Sequence, residues 1–411
     1  MDKLYQGSKF YRNKLRAAGF EPGNLCSLDD VKRLPFVTKE ELRAEQAAHP
    51  PFGRYTLASP DTWGELHPST GTTGVPVGTI WSANDVENIT EVTARTMWGF
   101  GVRPTDVVQN AFAYGLWVAG MSVHYAARRI GCFVIPIGAT MTEQQIFYMR
   151  TMRSTVMLAT PSFAIHIAER MRSAGVSPDD LPLRLGCFGG EAGTENPSTR
   201  MKIEEGLGIE AYDYYGIGEI GPTFACESTS KTGLIWSEDH YLIELVDPKT
   251  RTPVEEGEIG IVVITHLTRE ATPMLRYWTN DYARLNTAPS PCGRTHARSP
   301  GGILGRADDL VIYKGAKFYP VQVEEVVRSL EGFADEFLIE RSKDETGGVE
   351  HCVIVAECLP GLEPKDNSLI ERLRNSLRTS LHVTPDIRIV PPGTLERTTF
   401  KAKRLVDIPS K

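Results

Sequence analysis

Between residues 100 and 216, short apolar runs alternate with longer stretches whose apolar residues recur at helical spacing. Strands are expected over 105–110, 155–159, 183–188 and 209–215, with a further apolar run over 132–137. Helices are expected over 116–130, 142–154, 162–174 and 197–205. Apolar runs of this length, separated by helices, argue for βαβ units and a buried parallel sheet. Ligands on such sheets bind at the carboxyl ends of the strands. Gly115, Thr160-Pro161, Gly189-Gly190 and Gly216 fall at those ends.

The texture differs on either side. Residues 1–60 read as helices and turns, punctuated by Pro35, Pro50, Pro51 and Pro60. Over 235–286 two antiparallel strands, 241–246 and 258–265, flank the turn Asp247-Pro248-Lys249-Thr250. After Gly305 the order is strand 310–313, helix 321–330, strands 336–341 and 352–358, helix 369–381 and strand 387–390. The expectation is an α/β protein with a large N-terminal domain, 1–307, whose parallel sheets are flanked by helices. A small mobile α+β C-terminal domain, 308–411, follows.

Composition narrows the function. A chain of 411 residues can bury a large core. Its net charge of −7, with no block of like charges, argues against a nucleic-acid surface. No apolar run reaches membrane-spanning length and Met1–Gln6 opens no leader pattern, so a cytoplasmic protein without a membrane partner is expected. Seven scattered cysteines without a C-x-x-C pair fit a reducing compartment. A homodimer is compatible with all of this.

Chemistry enters with Ser69-Thr70-Gly71-Thr72-Thr73-Gly74-Val75-Pro76. Hydroxyls and glycines at this density offer backbone N–H groups and no bulk, which suits a phosphate chain. A P-loop is excluded, because no lysine follows Gly74. Gly189-Gly190-Glu191-Ala192 follows a strand, and its glycines let a flat ring approach the backbone. Tyr212-Asp213-Tyr214-Tyr215-Gly216-Ile217-Gly218-Glu219 delivers aromatics, a turn and a carboxylate, Glu219, suited to Mg²⁺. Asp281, expected at the end of a strand, could hold two ribose hydroxyls. Arg306 offers a fixed fork of donors, and Asp308 sits where a hinge would lie. The tail carries Phe400-Lys401-Ala402-Lys403-Arg404.

In this order, these segments resemble the adenylate-forming superfamily of acyl-CoA synthetases, luciferases and carrier-protein adenylation domains. Leu66–Pro76, Leu234–His240 and Gly305–Ile312 with Gly315 and Phe318-Tyr319-Pro320 look most like phenylacetate-CoA ligases and related aryl-CoA ligases. The resemblance implies ATP, Mg²⁺ and coenzyme A as cofactors and a small aryl acid as substrate. Ser69, Thr70, Gly71, Thr72, Thr73 and Gly74 would cradle the β- and γ-phosphates. Glu191, Asp213 and Tyr214 would frame adenine, Glu219 would hold Mg²⁺, and Asp281 and Arg306 the ribose. Asp308 matches the hinge of the small domain. Lys401 matches the lysine bridging the acid's carboxylate and the α-phosphate. Gly315 would line the pantetheine channel.

Trp278 and Asn280 stand where the family often has arginines. Its Cys/His zinc cluster is reduced here to Cys226 and Cys292, with Ile235 and Ser290 at other ligand positions. Two thiolates do not make a four-coordinate zinc site, so zinc is not expected. The acid pocket is expected among Phe112, Tyr114, Ala159, Phe188, Gly189, Tyr215, Gly216 and Ile217. It is aromatic and glycine-rich, with Tyr114 and Tyr215 able to meet a ring substituent. Benzoate-, anthranilate- and phenylacetate-type acids fit equally. Transfer to a carrier protein or an amine, or nucleotide binding without catalysis, are the other readings.

Overall fold

A computed structural model describes residues 1–69, 76–343, 349–397 and 402–409. The chain forms two compact units, interleaved in sequence: Met1–Ala139, Ser154–Leu158 and Tyr212–Ile303 in the first, Thr140–Arg153, Ala159–Ala211 and Leu304–Lys411 in the second.

In the first unit, strand Val107–Asn110 pairs in parallel with Phe133–Ile135 and with Val156–Ala159. The crossover to Phe133–Ile135 is the helix Val118–Ile130, which stops at Gly131 in the left-handed region (φ 100°), a conformation glycine adopts without Cβ strain. The longest helix, Ala83–Phe100, has no counterpart in the sequence expectations. Ser82 and Asp85 cap its start reciprocally, and Ile89, Val92, Met97 and Phe100 are buried. Its Thr- and Asn-rich middle has modest helix propensity, so burial of this face decides the conformation.

Two antiparallel assemblies complete this unit. Tyr241–Val246, Ile259–His266 and Tyr277–Arg284 form consecutive neighbours, with a bulge between Ile261 and Val263. Their buried face (Leu245, Val262, Ile264, Ala283) packs with Phe224 and Trp236. Asp281 therefore lies inside a strand rather than at its end, because the strand runs on to Arg284. Strand Glu210–Ile217 also outruns its expected limit and pairs antiparallel with Gly221–Cys226. Gly216 is thus inside a strand, at an irregularity between Tyr215 and Ile217. A Cβ there would sit 1.8 Å from the Pro222 carbonyl oxygen, so the residue must be glycine for the two backbones to approach.

In the second unit, helices Thr142–Thr151, Pro161–Ser173 and Pro197–Leu207 and strand Leu185–Phe188 lie close to their expected spans. Proline occupies the first turn of the latter two helices, behind the capping side chains of Thr160 and Asn196. The C-terminal part is α+β, as expected. Phe333–Lys343 and Val349–Cys358 pair antiparallel, flanked in parallel by Asp386–Val390 and Leu405–Asp407. Leu369, Leu373, Leu377 and Leu381 bury one stripe of Asn367–Leu381 against Phe337, Ile339 and Ile354. Each such leucine contributes about 1.5–3 kcal/mol by burial. Strand Leu405–Asp407 was not expected, since a short segment behind a basic run carries no alternation of its own.

Candidate active site

The phosphate-loop candidates Thr70, Gly71, Thr72, Thr73 and Gly74 lie outside the described residues, as does Lys401. The base of the loop is described. Strands Trp63–Pro68 and Gly78–Ser82 form a hairpin ending on the pair Pro68 and Gly78. Beyond it, the Ser69 amide donates to the Val77 carbonyl (2.8 Å), and the Val77 amide donates to Ser69 Oγ (3.1 Å). Buried Gln46 fastens the return strand: its Nε2 donates to the Pro76 carbonyl and its Oε1 accepts from the Gly78 amide, both at 2.9 Å. This geometry pins a short loop at both ends.

Glu219 belongs to the same unit and comes close to that base. A Cβ on the adjoining Gly218 would stand 3.4 Å from Ser69 Cα. The Glu219 carboxylate is buried, and Lys39 Nζ lies 2.8 Å from its Oε1, outside hydrogen-bonding angles. One buried carboxylate beside a phosphate loop fits Mg²⁺, which takes few protein ligands and completes its shell with phosphate and water. Lys39 supplies a cation there as well. Sequence reasoning missed it, because Thr38-Lys39-Glu40-Glu41 reads only as a capped helix start.

Asp213 is held by its backbone: its amide donates to Glu227 Oε2 (2.8 Å), and its carbonyl accepts from the Glu227 amide (2.9 Å). Tyr214 is buried edge-on to Phe112, ring centroids 6.1 Å apart. Tyr215 Oη donates to Asp281 Oδ2, joining a candidate of the acid pocket to one of the ribose site. The Asp281 amide donates to Thr279 Oγ1 (3.0 Å), and the adjoining Asn280 has φ 67°. Asn280 Oδ1 accepts from Trp278 Nε1 (2.8 Å), so these two residues meet each other where the family often has arginines. Arg276 nearby is buried, forked onto Glu244 at 2.9 Å twice and donating to the Lys32 and Leu34 carbonyls.

Tyr114 is the middle member of a hydrogen-bonded chain. Asn110 Nδ2 donates to Tyr114 Oη (2.8 Å), and Tyr114 Oη lies 3.1 Å from His124 Nδ1. Burial pushes the Tyr114 hydroxyl up to about 12, against a small opposing effect of Asn110. Burial, with Arg128 adding to it, pulls His124 below its ordinary value. The Tyr114 hydroxyl is thus engaged from two sides, by the Asn110 amide and the His124 ring. Neither Asn110 nor His124 was singled out from the sequence; only the fold brings them to Tyr114.

In the second unit, Ala159 and Phe188 are buried at the ends of their strands, with Gly189 following Phe188. Both oxygens of Glu191 have backbone partners: Oε1 accepts from the Ser162 amide (2.8 Å) and Oε2 from the Ala402 amide (2.7 Å). Arg306 Nη2 donates to Asp308 Oδ2 (2.9 Å) beside the single turn Ala307–Asp309. Lys314 (φ 50°) and Gly315 (φ 83°) form the two-residue turn between Val311–Tyr313 and Ala316–Phe318, whose handedness requires positive φ at both. No atom lies within 4 Å of where a Gly315 Cβ would be.

The residual cysteines are in different surroundings. Cys226 is buried, which pushes its thiol up. Cys292 is exposed: burial pushes its thiol up, but Ser228, Ser290 and the Arg294 amide and guanidinium outweigh that and bring it to about 7. Among the described residues no three His, Cys, Asp or Glu side chains cluster as a metal site, and no helix is long and apolar enough to cross a membrane.

With this geometry in place, the chain can be set beside known proteins. The profile of the AMP-binding enzyme family matches residues 28–278, and that of the AMP-binding enzyme C-terminal domain matches 315–408. The chain belongs to the AMP-binding enzyme family. Within this adenylate-forming superfamily it is 36% identical to a phenylacetate-coenzyme A ligase of Thermus thermophilus, across 98% of this chain and 93% of that one. It is 32% identical to the phenylacetate-coenzyme A ligase of Escherichia coli K12, across 98% and 91%. A crystal structure of 2-hydroxyisobutyryl-CoA ligase in its postadenylation state, with a bound acyl adenylate, superposes at a TM-score of 0.93. It is 30% identical, across 99% of this chain and 87% of that one. This AMP-binding enzyme is an AMP-forming acyl-CoA ligase.

Proposed function

We propose that this protein joins an aryl carboxylic acid of the phenylacetate type to coenzyme A. In the first half-reaction the acid's carboxylate attacks the α-phosphorus of ATP, giving the acyl adenylate and pyrophosphate. In the second the thiol of coenzyme A displaces AMP. The observation carrying the choice of acid is the commitment of both pocket tyrosines. Tyr114 Oη is engaged by Asn110 and His124, and Tyr215 Oη gives its proton to Asp281. The residues expected to line the acid slot then offer ring faces and edges, and a polar ring substituent would have to displace one of these bonds at a cost of about 1–3 kcal/mol. An unsubstituted ring fits without that cost. The phenylacetate-coenzyme A ligases among the relatives support the same choice.

The first step brings two anions together, a carboxylate and a phosphate, which repel by about 4 kcal/mol at ~4 Å and an effective dielectric near 20. Lys401 would supply an ammonium for them. Mg²⁺, held by Glu219, would neutralise phosphate charge. The loop 69–74 would hold the β- and γ-phosphates, Asp213 and Tyr214 the adenine, and Asp281 and Arg306 the ribose; Glu191, expected at the adenine, has both oxygens on backbone amides instead. Phe112, Tyr114, Ala159, Phe188, Gly189, Tyr215, Gly216 and Ile217 would enclose the acid, and Gly315 would border the pantetheine arm. The domain border falls at 307/308, with Asp308 as the hinge between the half-reactions.

The deciding experiment is acid-dependent ATP–pyrophosphate exchange over phenylacetate, benzoate, anthranilate, hydroxybenzoates and alkyl acids, with AMP release measured with and without coenzyme A. Strongest exchange with phenylacetate and coenzyme A-dependent AMP release are expected. A preference for amino- or hydroxy-substituted acids would overturn the choice of acid. Exchange without coenzyme A-dependent turnover would move the acceptor to a carrier protein or an amine.

A further inference from the structure

The second unit contains a buried ionic layer that the roles above do not use. Arg404, itself nearly buried, donates through Nη1 to Glu336 Oε2 and, at 3.3 Å, to the Phe337 carbonyl, with its guanidinium 4.8 Å above the Phe337 ring. Its own carbonyl accepts from the Ile339 amide (2.7 Å), so the residue is fixed at main chain and side chain together. Next to it, buried Glu324 pairs with buried Arg328, whose Nη1 donates to Thr199 Oγ1 (2.7 Å). Two residues before Arg404, the Ala402 amide donates to Glu191 Oε2, and the other oxygen of that carboxylate holds the amide of Ser162 in the first turn of Pro161–Ser173. One carboxylate therefore ties the 402–404 segment to the start of a helix from residues far earlier in the chain. The Ala402 nitrogen is the peptide partner of the Lys401 carbonyl.

We propose that Arg404 and Glu191 are positioning residues for adenylation, acting through the segment that follows Lys401. The physical reason is the length of a lysine side chain. Its ammonium can be aimed reproducibly only if the backbone at its root is held, and a misplacement of about 1 Å can cost ~10²-fold in rate. A carboxylate accepting a backbone amide, and a guanidinium donating to a half-buried carboxylate and a carbonyl, are charge-assisted bonds strong enough for that task. Neither residue has to touch ATP or the acid for its loss to be felt.

The inference rests on the adenylation reading, so wild-type ATP–pyrophosphate exchange is measured first; its absence would remove that reading and this inference with it, whereas failure of the variants below against an active wild type would overturn this inference alone. Arg404→Met keeps the buried stem and removes the charge. Expected are a fall in exchange kcat of about 10–100-fold, an ATP KM within about twofold of wild type, and unchanged thioester formation from supplied phenylacetyl adenylate and coenzyme A. Equal loss of both half-reactions would mean a merely structural role, and unchanged exchange would mean none; either overturns the proposal. Glu191→Gln is nearly isosteric and turns one amide-accepting oxygen into a donor. It should lower exchange kcat about 10-fold with ATP KM unchanged. A raised ATP KM with kcat retained would make Glu191 an adenine contact and overturn its part. If Arg404→Met does not melt cooperatively, Glu191→Gln and Arg404→Lys decide, the latter expected to keep at least a tenth of wild-type exchange by retaining the charge.

Discussion

Lys401 carries the sharpest claim at the scale of single residues. Removing one preorganised, charge-assisted donor from a site of developing charge typically costs ~10²–10³ in rate. Lys401→Ala should therefore lose acid-dependent ATP–pyrophosphate exchange by about that factor while keeping thioester formation from a supplied acyl adenylate. Exchange surviving the change would sink the assignment. Residue types suggested Glu219 for a hard metal and Asp281 for a diol, and the family resemblance added Lys401. They could not reveal Lys39 beside Glu219, nor that the hydroxyls of Tyr114 and Tyr215 are bound to His124 and Asp281. Those contacts join residues from different segments, and no local pattern encodes them.

At the scale of elements, two contacts make measurable claims. Gly216 sits where strand Glu210–Ile217 meets Gly221–Cys226, and an added Cβ would lie 1.8 Å and 2.2 Å from the Pro222 carbonyl oxygen and carbon. Backbone cannot yield as a side chain can. Gly216→Ala should lower stability by about 1–3 kcal/mol, read as a lower urea midpoint with unchanged m-value. The loop after Asp386–Val390 is fastened through Glu357, whose oxygens accept from both Arg397 terminal nitrogens (2.7 and 2.8 Å) and from the Gly393 and Leu395 amides. Burial alone would push this carboxyl up, but Arg397 and the two amides outweigh it and hold it below the ordinary 4.5. A depressed folded pKa contributes stability above the unfolded value and loses it as pH falls through the folded one. Glu357→Gln should therefore lower the thermal midpoint at pH 7 and flatten its decline below about pH 4.5. An unchanged acid slope would refute the assignment. Most helices and strands were legible because their apolar spacing is local. Ala83–Phe100 and Leu405–Asp407 were not, since burial against neighbours holds the first and pairing with the distant strand Phe333–Lys343 the second, rather than local propensity.

At the scale of the whole molecule, the proposed reaction needs one small domain to serve two half-reactions in turn. Arg306 and Asp308 pair with each other beside the single turn Ala307–Asp309, at the proposed domain border. Asp308→Pro fixes one φ there. It should spare adenylation and block thioester formation, measured as ATP–pyrophosphate exchange against coenzyme A-dependent AMP release. Equal loss of both would argue against alternation.

By itself the sequence determined the fold class, the family and the chemistry of the parts. Hydrophobic period reports local conformation, and the order of Ser69–Gly74, Glu219, Asp281, Arg306, Asp308 and Lys401 carries the resemblance to the family. Only the tertiary structure decided which of these residues meet. It placed Asp281 mid-strand against Tyr215, set Glu219 opposite Lys39, and gave both Glu191 oxygens to backbone amides. Partnership of that kind depends on where buried polar groups find their hydrogen bonds once the chain has folded, and burial makes those bonds obligatory only after distant segments are packed together.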